Sequence, residues 1–370
     1  MADTKKFKDY FDEDLVFFFI ESFSLEPSFR ASTFKELAME GLLDLEMKER
    51  VAQIAEALYQ SLSGTPVERI EAVQRALPLP RDEQNEEPIN NGFRLWPLGE
   101  FIARYGLAAR DESFTAMLEL TKRFTSEFAI RPFLEDDPEW VLQRFETLLH
   151  HDNHHVRRWV SEGTRTRLPW AKKIPALLDY QEERIALLSA LRNDESRYVA
   201  RSVANHLQDI LKDDLPRGLE LAKEWRREDK EITNWIIRHG CRNLLKEGHP
   251  EVMTLFGYEP NLIFQHNFYV SPLKMQAGDD ALLSLELSNG TSSTLEVRVD
   301  YILEGPTKTG RTFRKIFRWS DLSMKPQESK KLEKAHPFRH LSTRKVYSGP
   351  HRFTPLVNGV EGQPLDVILI

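Results

Sequence analysis

The hydrophobic period of this chain changes once, and that change limits what it can fold into more than any other feature. From roughly residue 8 to 257, apolar residues recur at three- and four-residue spacings. Examples are Val51, Ile54, Ala55, Leu58 and Leu62, then Val141, Leu142, Phe145, Leu148 and Leu149, then Ile185, Leu188 and Leu191. From about Pro260 to Ile370 the period is two. Leu283, Leu285 and Leu287 alternate with polar residues, and so do Leu295, Val297, Val299, Tyr301 and Leu303. Three- and four-residue spacing gives a helix one buried stripe, whereas alternation gives a strand one buried face. The expectation is an all-α domain over residues 1–257 followed by an all-β domain over 258–370. With 370 residues, 41% of them apolar, each part can bury a core of its own.

The helical part repeats. Val156-Arg157-Arg158-Trp159-Val160, Val199-Ala200-Arg201-Ser202-Val203 and Ile236-Ile237-Arg238-His239-Gly240 share an arginine that recurs after 43 and then 37 residues. Polar turns precede all three segments: His151-Asp152-Asn153, Asn193-Asp194-Glu195 and Arg227-Glu228-Asp229. Helix pairs at about this spacing predict a HEAT-like repeat solenoid, with a concave face lined by the second helix of each pair. In the β part, Ser288-Asn289-Gly290, Gly305-Pro306, Ser348-Gly349-Pro350 and Asn358-Gly359 read as turns between short strands. They predict an immunoglobulin-like sandwich without the Cys-Trp-Cys framework of antibody domains.

Residues four apart share a helix face. Arg158 with Glu162, Arg201 with Asn205 and Asp209, and Arg238 with Arg242 and Lys246 therefore form three polar stripes. Stacking would merge them into one track, basic at one end and acidic near the middle. Such stripes can be plain solvated faces, and Arg158–Glu162 a simple surface ion pair. A recurring arginine also suits phosphate, because its planar fork donates two parallel hydrogen bonds. Beyond the first stripe, Gly163-Thr164-Arg165-Thr166-Arg167-Leu168-Pro169-Trp170 adds two arginines and an aromatic next to a carboxylate. The aromatic can be interhelical packing, or it can face a cationic base with its π system.

Charge is unevenly spread. The net charge is −7, but residues 1–100 hold 11 Lys+Arg against 20 Asp+Glu, and residues 150–174 hold six basic residues against two acidic ones. A local basic patch matters more to a polyanion than the total does. Cys241 is the sole cysteine, which excludes an intramolecular disulfide and a cysteine-built metal site. His150, His151, His154 and His155 straddle a turn without a compact set of further ligands, so neither metal nor cofactor is expected. The apolar run Leu15 to Ile20 is too short for a leader or a membrane span. These features suggest a cytoplasmic monomer that does not enter membranes.

Four runs carry a family likeness: Ser126-Glu127-Phe128-Ala129-Ile130-Arg131-Pro132-Phe133, Val156 to Trp170, Ser202-Val203-Ala204-Asn205-His206-Leu207-Gln208-Asp209, and Asn234-Trp235-Ile236-Ile237-Arg238. In these the chain resembles the AlkC branch of the AlkC/AlkD bacterial DNA glycosylases, and its C-terminal part resembles the immunoglobulin-like extension of one AlkC subgroup. The resemblance implies excision of cationic alkylpurines, chiefly 3-methyladenine, from double-stranded DNA, without a pocket that swallows a flipped base. It implies acidic residues near the lesion at Glu127, Glu162 and Asp209, an aromatic at Trp170 and a DNA-contacting arginine at Arg158. Arg165, Arg167, Arg201, Arg238, Arg242 and Lys246 complete the expected DNA-binding set. The competing expectation is a non-catalytic scaffold, since HEAT-like arrays and immunoglobulin-like modules often bind proteins. In the β part, Arg311-Thr312-Phe313-Arg314-Lys315 and Arg344-Lys345 are basic and suggest added grip on the duplex.

Overall fold

The computed structural model describes residues 6–80, 90–260, 262–339 and 345–370, so Arg344 lies outside the described residues. Helices run to Leu255 and strands begin at Ile263. By compactness the chain forms two units: Met1–Leu215 with Glu228–Ile237, and Pro216–Arg227 with Arg238–Ile370. No helix among the described residues is long and apolar enough to cross a membrane.

Helices occur where the pairs are expected: Pro138–Glu146 then His154–Gly163, and Gln181–Leu191 then Arg197–Asp213; Leu215–Arg226 and Glu231–Gly240 follow in the chain. Local chemistry starts them. Asp137 accepts from the Trp140 N–H at 3.0 Å ahead of Pro138, and Asn153 accepts from the His155 N–H at 2.8 Å. Each satisfies a donor that a helix start leaves without an intrahelical partner. The His154–Gly163 helix packs on the Arg197–Asp213 helix, so the second members of these two pairs are neighbours. Val156, Trp159 and Val160 are fully buried, as are Val199, Val203 and Leu207, and the Trp159 ring packs against Phe114 and Phe145. Each such side chain stabilises the fold by roughly 1.5–3 kcal/mol.

Ser126-Glu127 lies in a turn that closes from the Ile130 N–H to the Ser126 carbonyl at 3.1 Å, and the helix starts at Arg131. One local expectation changes: the third stripe is not on one continuous helix. The first helix ends at Gly240, and Arg242–Glu247 forms the next after Cys241. Glycine is a poor helix former, and Gly240 marks the break.

The β unit has two sheets. One pairs β1 (Ile263–Ser271), β3 (Asp280–Asn289) and β6 (Ser329–Pro337) in the order β1-β3-β6. The other has the order β2-β9-β7-β4-β5, with β8 on β7. Its strands are β2 (Lys274–Met275), β4 (Leu295–Pro306), β5 (Thr312–Met324), β7 (Gly349–Val357), β8 (Val360–Glu361) and β9 (Leu365–Leu369). The alternating residues of β3 and β4 fill the space between the sheets with Trp319 and Phe353. The outer face of β4 departs from simple alternation. Arg298 and Asp300 are buried there and paired at 2.6 Å.

The Asn358-Gly359 turn has both residues in the left-handed region, at φ 48° and 81°. Gly248, at φ 74°, ends the Arg242–Glu247 helix and lies against Gly359. A Cβ on Gly248 would stand 2.7 Å from the Gly359 Cα, so neither glycine has room for a side chain.

Candidate active site

Four segments of the first unit bring five charged residues together. Glu127 comes from the turn before the Arg131–Asp136 helix. Arg158 and Glu162 come from one face of the His154–Gly163 helix, Arg165 from the loop after it, and Asp209 from the Arg197–Asp213 helix. They form a chain of alternating sign. Arg158 Nη1 lies 2.7 Å from Glu127 Oε2 and Arg158 Nη2 lies 3.7 Å from Glu162 Oε2. Arg165 Nη1 lies 2.5 Å from Glu162 Oε1 and Arg165 Nε lies 2.7 Å from Asp209 Oδ2. Thr125 accepts from Arg158 and donates to Glu127, both at 2.8 Å. Ser202 donates to Glu162 Oε2 at 2.6 Å. Glu127, Glu162, Arg165 and Asp209 are buried, so these are charge-assisted bonds away from water.

The two carboxylates that share Arg165 differ in acidity. Burial works against ionisation of Glu162, but Arg158, Arg165 and the Ser202 hydroxyl outweigh it and hold the carboxyl below its ordinary value. Burial pushes the Asp209 carboxyl up despite Arg165. Environments that drive two carboxyl groups apart separate a permanent anion from a group better able to take a proton.

Trp170 sits apart from this chain. It is 55% exposed with φ 68°, a backbone that only glycine adopts easily. Its ring lies 6.3 Å from Trp96, nearly parallel, and 6.5 Å from Phe7, while Lys48 donates to its carbonyl. Trp170, Trp96, Phe128 and Arg131 line a hollow of about 460 Å³. Arg131 joins the two places. Its guanidinium donates to the Arg165 carbonyl at 2.7 Å and the Lys172 carbonyl at 2.6 Å, clamping both ends of the loop that presents Trp170. Burial lowers Arg131 to about 10, which leaves it charged at neutral pH.

The remaining expected residues are scattered. Arg167 pairs with Asp213, and Arg201 is exposed. Arg238 is held by Asp321 at 2.9 Å and by the Tyr258 hydroxyl at 2.7 Å. Arg242 donates to the His239 carbonyl at 2.6 Å, and Lys246 is exposed. The rings of His154 and His155 lie 5.8 and 5.4 Å from that of Tyr198, which in turn lies under the Arg158 guanidinium.

Sequence reasoning did not single out Thr125, Arg131, Arg184, Ser202 or His206. For two of them a signal existed. Arg184 shares the apolar row of Leu188 and Leu191, and His206 shares that of Val199, Val203 and Ile210. A polar residue on such a row is either a fault or a deliberate internal partner.

This is a helical-repeat fold with an immunoglobulin-like β part, and a solved structure has the same architecture. That structure is the Pseudomonas fluorescens alkylpurine DNA glycosylase AlkC bound to DNA containing an abasic site analog. It matches with a TM-score of 0.85 and 29% identity, over 99% of this chain and 100% of that one. Residues 265–370 match the family model described as "Uncharacterised protein YhaZ, C-terminal Ig-like domain". The uncharacterized protein YhaZ of Bacillus subtilis (strain 168) is 34% identical over 369 residues, 99% of each chain. The chain belongs to the YhaZ family, and the AlkC likeness read from its sequence extends over its whole length.

Proposed function

We propose that this protein is a DNA glycosylase that hydrolyses the N-glycosidic bond of cationic alkylated purines, chiefly 3-methyladenine, in duplex DNA. The observation that carries this reading is the buried Glu127–Arg158–Glu162–Arg165–Asp209 chain. A buried ionic chain is a poor way to stabilise a fold, since well-packed apolar residues would serve as well or better. Its use is chemical: preorganised charge aimed at charge that develops during a reaction.

Methylation at N3 makes adenine a cation, and the leaving group is then already activated. The C1′–N bond breaks with its electron pair going to the base, which departs neutral. Carboxylates near the sugar stabilise the oxocarbenium-like centre, and a water oxygen bonds to C1′ while its proton passes to a carboxylate. Glu162, held ionised, suits electrostatic stabilisation. Asp209, with its raised proton affinity, suits the proton-accepting role, and Glu127 adds negative charge beside Arg158. Trp170 provides an exposed aromatic face for the lesion or its sugar. Arg158 and Arg165 hold the carboxylates in place, and exposed Arg201 and Lys246 suit the phosphate backbone. A neutral base lacks the built-in activation, so no pocket that engulfs the base is required.

The test is direct. The full-length protein, incubated with methylated duplex DNA, should release 3-methyladenine. Glu162→Gln should cut that release at least roughly tenfold while DNA affinity stays nearly unchanged. Absence of any released base from the wild type would sink the reading.

A further inference from the structure

The helix that carries Glu162 ends at Gly163. No left-handed glycine follows to turn its last carbonyls inward. The Thr164 hydroxyl donates to the Val160 carbonyl at 2.8 Å and reaches the Ser161 carbonyl only at 3.4 Å, and the Arg165 N–H meets the Glu162 carbonyl at 3.4 Å. Two side chains from the next helix pair add shorter bonds at this end. His206 Nδ1 lies 2.9 Å from the Ser161 carbonyl oxygen. Arg184 Nε donates to the Thr164 carbonyl at 3.0 Å, and its Nη1 donates to the Leu177 carbonyl at 2.9 Å. Arg184 Nη2 and His206 Nε2 are 2.9 Å apart.

An arginine can only donate, so His206 Nε2 must accept. The ring proton then sits on Nδ1, where it donates to Ser161. One neutral tautomer satisfies both contacts, and a protonated ring would aim an N–H at a guanidinium. Both side chains are buried, at 0% and 1% exposure. Arg184 and Arg165 are the charged groups that face the ring, and burial together with these cations moves its protonation well below the ordinary histidine range. Next to Ser161 in the chain, Glu162 takes the Ser202 hydroxyl, which lies 2.9 Å from the Ser161 hydroxyl. The end of the helix, the serine pair and the Glu162 carboxylate thus share one support.

We propose that His206 is a positioning residue: as the Nδ1–H tautomer, fixed by Arg184, it caps the Ser161 carbonyl and so sets where Glu162 points. The proposal rests on the glycosylase reading for its effect on catalysis, but its geometry can be tested without activity.

His206→Asn keeps a donor near the Nδ1 position, and His206→Gln keeps an acceptor near the Nε2 position. Both delete the ring and lose packing alike. His206→Asn should hold kcat within about threefold of wild type, whereas His206→Gln should lower kcat at least roughly tenfold with KM little changed. Carboxylate ¹³C NMR should show Glu162 titrating as in wild type in His206→Asn and at higher pH in His206→Gln. Imidazole ¹⁵N NMR of the wild type should show a single neutral Nδ1–H form. Equal behaviour of the two variants in kcat and in Glu162 titration, or an Nε2–H ring, overturns the proposal. An inactive wild type with the expected NMR pattern overturns the glycosylase reading alone.

Discussion

Arg165 is the residue whose removal tests the electrostatic account most severely. It joins Glu162 at 2.5 Å to Asp209 at 2.7 Å, and both carboxylates are nearly sealed from water, at 6% and 2% exposure. Arg165→Met keeps much of the side-chain volume but strands two buried anions. Breaking one buried pair costs about 3–5 kcal/mol. With two partners affected and Arg158 still serving Glu162, the expected loss is about 4–5 kcal/mol. Asp209→Asn alone removes one partner and should cost about 1–3 kcal/mol. In the Arg165→Met background the same change relieves a stranded charge and should stabilise the fold, giving a coupling energy at the upper end of the roughly 0.5–3 kcal/mol range. Urea unfolding of the four proteins at neutral pH closes the cycle. Effects that add within about 0.5 kcal/mol would refute the reasoning, because independent sites behave in that way.

Other consequences follow from the same structure. His206 is neutral in the fold and takes a proton far less readily than in the unfolded chain, where it titrates near pH 6.5. Its contribution is therefore present above about pH 6.5 and is lost as the pH falls below it, by up to about 1.4 kcal/mol per pH unit; urea midpoints between neutral and mildly acid pH should fall less steeply in His206→Asn than in wild type. Gly248→Ala would force a left-handed alanine and a Cβ 2.7 Å from the Gly359 Cα. It should cost at least about 2 kcal/mol, visible as a lower Tm by calorimetry, and an unchanged Tm would show that the close approach is not real. Trp170→Gly relieves the left-handed backbone but removes the exposed ring. Stability should change by no more than about 1 kcal/mol while base release falls at least roughly tenfold; loss of both together would assign Trp170 a packing role.

Much of the architecture was legible because it rests on period. The arginines at 158, 201 and 238 mark equivalent helices, and the switch near Pro260 separates helices from strands. Periodicity shows which residues share a face, but not what covers that face. Arg158 and Glu162 read as an outward stripe, yet the neighbouring Arg197–Asp213 helix packs over part of it and buries Glu162. Arg165 read as a loop cation for phosphate, whereas the fold turns it onto two carboxylates separated by 47 residues of chain. Arg238 read as a groove residue, and it is bound to Asp321, a partner 83 residues away that no local pattern could indicate. The site carboxylates were reached through a family likeness rather than through spacing. Ser202, the long-range partner of Glu162, sits 40 residues away from it in the chain, and Arg184 and His206, which brace the end of the Glu162 helix, lie on helix faces that are largely apolar.

The ionic chain has an uneven count. Three carboxylates, Glu127, Glu162 and Asp209, share two guanidinium groups, those of Arg158 and Arg165. Within these four ion pairs, carboxylates outnumber guanidinium groups by one. A lesion that carries a fixed positive charge would offset that excess, and an undamaged purine would not. On the proposed glycosylase reading, selectivity of this kind would need no shaped recess for the base and would follow from the balance of ions already in place.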